Sequence, residues 1–230
     1  MTDPLRQSTL DLGHRPRRAM GRADFVVSAA NAEAVALAGD PSVWPGGRLA
    51  LVGPSGAGKT HLARVLMAER GAARAEAAAL RPSEAPALIA AGVVVVEDAD
   101  RLEDAPDRAV AEEALFHLLN LAAADGAPVL LSGAAAPVRW PCALPDLASR
   151  LAALPVARLR PPDDALLEAV IAKLFADRAL PVEAALPAYL AARIERSFAA
   201  AREVVDRLDA ASLSLHRPIT RRLAGETLGL

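Results

Sequence analysis

The sequence predicts an α/β fold: a parallel sheet covered by helices, followed by a small all-helical lid. Three observations carry that prediction. A complete phosphate-binding loop, Gly53-Pro54-Ser55-Gly56-Ala57-Gly58-Lys59-Thr60, follows directly on the apolar run 49–52. From there to residue 159, short apolar runs alternate with helical patterns, as in doubly wound sheets with right-handed crossovers. Beyond Pro161-Pro162 the strand-like runs stop, and helical patterns fill the rest of the 230 residues.

Taken in chain order, residues 1–22 are polar, contain prolines and arginines and keep no sustained period, which reads as a mobile tail. Structure is expected to begin near Asp24-Phe25-Val26-Val27, with a short helix over 31–38 and a loop over 41–47 that carries Trp44. The run 49–52 reads as a strand and 59–70 as the helix after the phosphate loop. A weak strand is expected over 73–77, then a short helix over 83–90 with Ser83 as its cap, ended by Gly92. The four valines at 93–96 read as a buried central strand of a parallel sheet. A long amphipathic helix over 107–124 is closed by Gly126. A buried strand over 128–132, a short helix over 147–151 and a last strand over 156–159 complete the base. In the lid, helices are expected over 163–178, 182–193, 198–212 and 219–228. Asp163 or Asp164 caps the first, and Pro181 and Pro218 fall at helix starts, where proline is tolerated. The expected division is a tail at 1–22, a nucleotide-binding base at 23–160 and a helical lid at 161–230.

Composition narrows the function classes. A hydrophobic fraction of 53% with only 3% aromatic makes alanine, leucine and valine the core builders, a mixture that favours helices. The net charge of −2 argues against gripping DNA through a broad basic face. The clusters Arg15, Arg17, Arg18 and Arg221, Arg222 accordingly read as solvated charges. Cys142 is the sole cysteine, so there is no disulfide framework, and His14, His61, His117 and His216 are too scattered for a zinc site. No signal-peptide core and no membrane-spanning run is evident, so a cytoplasmic protein with no membrane partner is expected.

Two elements carry chemistry on the residues alone. In the phosphate loop, glycines let successive N–H groups turn inward, Lys59 brings a charge to the outer phosphates, and the Thr60 hydroxyl is placed to hold Mg²⁺. The following helix adds the positive end of its dipole. Of 26 basic residues only Lys59 and Lys173 are lysines, so a lysine in this loop is not background. The second element is the strand ending in Glu97-Asp98, where phosphate-loop ATPases place a Mg²⁺-linked carboxylate and a residue that polarises the attacking water. The commoner order is aspartate then glutamate. Here Glu97 can still reach Mg²⁺, whereas the shorter Asp98 is less suited to the base position, so weak or absent turnover is expected. Asp100 reads as a cap or loop residue.

A third element, Leu144-Pro145-Asp146-Leu147-Ala148-Ser149-Arg150-Leu151, joins a set that carries a family resemblance. The others are Asp24-Phe25 with Asn31-Ala32, Trp44-Pro45, Gly58-Lys59-Thr60-His61-Leu62 and Glu97-Asp98. Over about residues 24–160, and more loosely in the lid, the chain resembles the AAA+ module of the DnaA/Hda family. That family comprises the bacterial replication initiators and their regulatory homologues, and the regulatory branch is the more similar. The resemblance implies an AAA+ base holding ADP or ATP with Mg²⁺ through Gly53 to Thr60 and the adjacent His61. It assigns Arg150 as an arginine finger that acts on nucleotide bound by a neighbouring subunit.

Departures matter as much. The first-sensor position after the strand at 128–132 holds Ala134, and the second-sensor position holds Ala199, flanked by Arg196 and Arg202 as candidate substitutes. The tail segment Gln7-Ser8-Thr9-Leu10-Asp11-Leu12 resembles the peptide by which bacterial replication proteins dock on the sliding clamp, with Gln7, Leu10 and Leu12 as anchors. The DNA-binding helix-turn-helix domain of initiators is not expected within these residues. The resemblance therefore implies an inactivator of DnaA. Tethered to DNA-loaded clamp, it meets DNA indirectly, promotes hydrolysis of DnaA-bound ATP and limits re-initiation. A homodimer is compatible with this reading. Two alternatives stay open: an autonomous AAA+ ATPase of the helicase-loader type, and a non-hydrolysing clamp adaptor.

Overall fold

The run Arg48–Val52 (β1) lies inside a five-stranded sheet with β2 (Ala73–Glu76), β3 (Val94–Glu97), β4 (Val129–Gly133) and β5 (Val156–Arg158). This computed structural model describes residues 26–27 and 31–230. The readings of a tail at 1–22, of Gln7, Leu10 and Leu12, and of Asp24-Phe25 lie outside the described residues. Strand order is β2-β3-β4-β1-β5, and every neighbouring pair is parallel. The three central strands are buried on both faces, which is why they are runs of valine and leucine without alternation.

Their side chains divide between two apolar layers with period two. Leu49, Leu51, Val95 and Leu130 face α1 (Ala32–Gly39) and α2 (Lys59–Arg70). Ala50, Val52, Val94, Val96, Val129 and Leu131 face α3 (Ala85–Ala90), α4 (Arg108–Asp125) and α5 (Pro145–Ala152). Helix α4 presents Ala111, Ala114, Leu115, Leu118, Leu119 and Ala122 to the sheet, a stripe at three- and four-residue spacing. It begins where Asp107 accepts the Val110 N–H (3.2 Å) and ends at Gly126, at φ 69°.

A separate apolar cluster joins α6 (Asp164–Ala176), α7 (Leu186–Ala191), α8 (Phe198–Leu215) and α9 (Arg221–Leu228) around Phe175, Leu190, Leu208 and Leu223. Asp163, of the two candidates, caps α6 by accepting the Leu166 N–H at 2.8 Å.

Several bounds differ from expectation. Strand β3 runs one residue later than 93–96 and takes in Glu97, because Asp98 at φ 53° breaks the extended chain only after it. Ser83 does not cap a helix. Residues Pro82–Glu84 form a 3₁₀ turn in which Glu84 accepts the Arg81 N–H (2.8 Å), and α3 starts at Ala85. Helix α7 is much shorter than 182–193, since Pro187 fits only its first turn. Pro181 and Pro218 do not start helices; α9 begins after Thr220, whose hydroxyl accepts the Leu223 N–H at 3.3 Å. The 41–47 loop is two short 3₁₀ turns, and Trp44 is buried with its indole N–H on the Leu37 carbonyl at 2.8 Å.

Candidate functional site

The phosphate loop leaves β1 at Gly53 and enters α2 at Lys59. Backbone crowding explains two of its glycines. A Cβ on Gly53 would stand 2.5 Å from the Leu159 carbonyl oxygen. Gly56 sits at φ +74°, and a Cβ there would stand 2.7 Å from the Ser197 Cβ. That second approach brings the start of α8 onto the loop, where the Phe198 N–H donates to the Gly56 carbonyl at 3.0 Å. Lys59 Nζ donates to the carbonyls of Gly53 (2.7 Å) and Pro54 (3.1 Å), so the ammonium is held at the mouth of the loop. Burial pushes Lys59 below the usual lysine range, against the opposing pull of the Asp100 and Asp98 charges. Thr60 is exposed, and His61 is half-buried in the first turn of α2.

The acidic residues separate into two roles. Glu97 is 3% exposed and accepts from the Arg74 guanidinium on edge strand β2. Its other oxygen, Oε1, is buried with no hydrogen-bond partner. A buried carboxylate oxygen left unmatched is costly, so this one fits a hydrated cation. The residues present therefore fit Mg²⁺, with Thr60 and Glu97 as the groups to hold it. Asp98 turns into the left-handed region, and its N–H donates to Ser132 Oγ at 3.2 Å. Asp100, expected to be a simple cap or loop residue, accepts the Ala134 N–H at 2.7 Å and so ties the exit of β3 to the exit of β4. Asp98 and Asp100 are the carboxylates whose charges reach Lys59.

Beside the loop, a cavity of about 470 Å³ opens at the carboxyl ends of β1 and β5, lined among others by Leu37, Gly53, Pro54, Ala134, Ala157 and Arg160. Ligands of doubly wound sheets bind at strand carboxyl ends. The cavity walls are mixed, with Glu33, Arg158 and Arg160 beside the apolar Leu37, Ala134 and Ala157.

Arg150 occupies the last turn of α5. Its guanidinium carbon lies 5.0 Å from the centroid of the Phe116 ring on α4, a cation–π contact. One turn earlier on α4, Glu112 is 3% exposed and accepts from the N–H of Ala143 (3.0 Å to each oxygen) and of Leu144 (2.8 Å). Arg108, a further turn back, pairs with the same carboxylate at 2.6 Å. Burial pushes Glu112 up, but the Ala143 N–H, the Arg108 guanidinium and the Leu144 N–H together hold it below the usual carboxylate range.

In the lid, Ala199 does fall in the first turn of α8. Arg196 pairs with Asp164 at 2.9 Å, and Arg202 donates to the Phe198 carbonyl at 3.3 Å. Among the described residues no cluster of His, Cys, Asp and Glu could hold a metal ion by itself, and no helix is long and apolar enough to cross a membrane.

Sequence reasoning missed Arg74, Asp100, Glu112 and Phe116. Only the last two left a signal: Arg108, Glu112 and Phe116 recur every four residues and so share one face of α4.

No family model matches the sequence, nor does any curated protein. Solved structures do. Domain III of the replication initiation protein DnaA from Thermotoga maritima superposes with a TM-score of 0.72 at 16% identity, covering 91% of this chain and 95% of that one. A replication initiator DnaA bound to AMPPCP and single-stranded DNA gives 0.65 at 15% identity, over 83% of this chain and 64% of that one. The RuvB Holliday junction branch migration motor of Thermotoga maritima gives 0.61 at 20% identity, over 79% and 61%. The chain thus spans less than two thirds of these last two proteins. It has the AAA+ P-loop fold, with the sheet and flanking helices of DnaA domain III.

Proposed function

We propose that this chain binds ADP or ATP with Mg²⁺ in its own phosphate loop and acts on a second AAA+ protein, the initiator DnaA, by presenting Arg150 to the ATP bound there. Tethered through Gln7, Leu10 and Leu12 to DNA-loaded sliding clamp, it promotes conversion of DnaA to the ADP form and limits re-initiation. The observation that carries this reading is the docking of α5 on α4, which sets Arg150 on Phe116 at the end of a short helix. The DnaA-like fold supports the choice of partner, and the AMPPCP held by one such initiator supports an adenine nucleotide.

At the partner's site, water adds to the γ-phosphorus and the bond to the β,γ-bridging oxygen breaks. ADP and phosphate leave, and the proton passes to solvent. The Arg150 guanidinium neutralises charge on the transferred group, an effect worth about 10³ to 10⁵ in rate. In this chain's own site, Lys59 and the loop N–H groups bind phosphates, while Thr60 and Glu97 would hold Mg²⁺. Bound Mg²⁺ would neutralise charge on the phosphates.

The test is hydrolysis of DnaA-bound ATP with clamp, DNA and this protein; an Arg150→Ala variant as effective as the parent rules the finger out. Pull-down on clamp, comparing the intact tail with Gln7→Ala and Leu10→Ala, tests the tether. A second reading, an autonomous ATPase of the helicase-loader type, draws support from the unmatched Glu97 oxygen and from the Asp98 and Asp100 charges that reach Lys59. Robust hydrolysis by the isolated protein, abolished by Lys59→Ala, favours that reading.

A further inference from the structure

The segment Pro141-Cys142-Ala143-Leu144-Pro145 leads into α5 between two prolines, so it has few N–H groups and no regular partner for them. Helix α5 has no side-chain cap of its own at Leu144. The N–H groups of Ala143 and Leu144 both end instead on the Glu112 carboxylate of α4. Glu112, buried next to Ala111 and Leu115 and paired with Arg108, carries a desolvation cost that a hydrocarbon side chain there would avoid. The bonds it accepts from Ala143 and Leu144 hold the entry to α5 against α4.

We infer that Glu112 is a positioning residue for Arg150: it locks the entry to α5 onto α4, so that the helix delivers the guanidinium at one fixed place on Phe116. The inference rests on the finger reading of Arg150. The hydrogen-bonded turns of α5 join Leu144 to Arg150, about one and two-thirds turns later, so a shift at Leu144 is passed on to Arg150. Such shifts are costly in rate, since a misplacement of about 1 Å at reacting groups loses about a hundredfold.

The test is Glu112→Gln in the full chain, read in the DnaA-bound ATP hydrolysis assay titrated to saturation. The glutamine amide turns one acceptor into a donor facing the Ala143 and Leu144 N–H groups. The expected result is a saturating rate lowered about ten- to a hundredfold. The half-saturating concentration and the affinity of the chain's own site for ADP stay unchanged, while hydrogen exchange at Ala143 and Leu144 accelerates. A full saturating rate despite accelerated exchange overturns the inference. So does a loss of ADP affinity in step with the rate, which marks a general weakening of the fold. Arg150→Ala, run alongside, separates the two claims. If it stimulates as well as the parent, the finger reading fails and the role of Glu112 falls with it. If it is inactive while Glu112→Gln is not, only the inference fails. Should Glu112→Gln not fold, Ala143→Pro removes a donor from the opposite side and carries the same rate and affinity readings, with hydrogen exchange followed at Leu144 alone.

Discussion

The phosphate-loop edge and the α5 edge of the sheet are built in opposite ways. At the first, most of the shape is local: glycines with positive φ form the loop, and Lys59 closes it on its own Gly53 and Pro54 carbonyls, with Leu159 and Ser197 packed close against Gly53 and Gly56. At the second, Arg150 is placed by groups far away in sequence, Glu112 and Phe116 on α4, acting on the turn at 143–144 and on the guanidinium itself. The loop is therefore shaped mainly by local backbone conformation, whereas Arg150 is held by tertiary packing. The first depends on distant residues only through the close approach of Leu159, Ser197 and Phe198, and the second depends on them for its placement.

The largest effect that separates the edges is expected from Arg150→Ala. Stimulated hydrolysis of DnaA-bound ATP should fall by about 10³, with the chain's own ADP affinity unchanged by isothermal titration. Next comes Lys59→Ala, which removes a charge-assisted contact to phosphate and should weaken ADP binding by about a hundredfold. Stimulation measured on the same variant then sharpens the comparison. If it survives, the α5 edge stands without nucleotide; if it is lost, the occupied loop keeps that edge in shape.

What was legible in the sequence follows the same division. The phosphate loop, the central strands and the long helix α4 are local patterns, and each falls within a residue or two of its expected place. The reading of Arg150 as a finger rests on resemblance alone, because nothing in its spacing distinguishes it from other surface arginines. Asp100 and Arg74 were not legible at all. Asp100 gains its meaning from the Ala134 N–H, 34 residues on, and Arg74 from Glu97 on the neighbouring strand. Helix α7 was over-extended because hydrophobic spacing at 182–193 is helical while Pro187 confines the helix to its second half.

A smaller effect is expected on stability against pH. Glu112 is held below its ordinary value of 4.5 in the folded protein. Its ionised bonds thus contribute stability that is fully present above that value, and it is lost as pH falls through the lower, folded one. Glu112→Gln should therefore make the acid limb of the thermal unfolding profile shallower below about pH 4.5, while other carboxylates keep theirs. An unchanged limb would mean that Glu112 takes little part in acid unfolding.

The smallest effect is expected where the lid meets the loop. Ala199 stands where the resemblance expects the second-sensor arginine, and Arg196 is one of the two flanking candidates to replace it, with Arg202. In the structure Arg196 is paired with Asp164, and the two side chains are 62% and 57% exposed. Such surface pairs contribute about 0 to 1 kcal/mol. The lid instead touches the loop through backbone, Phe198 N–H to Gly56 O, beside the close approach of Ser197. Side-chain truncation at Arg196 leaves that contact intact. Arg196→Ala should accordingly change ADP affinity by less than about fivefold, the upper end of what a surface pair contributes. A tenfold loss would mean that Arg196 leaves Asp164 for the phosphates when nucleotide binds. The lid edge would then work as the α5 edge does, by an arginine delivered from outside the loop.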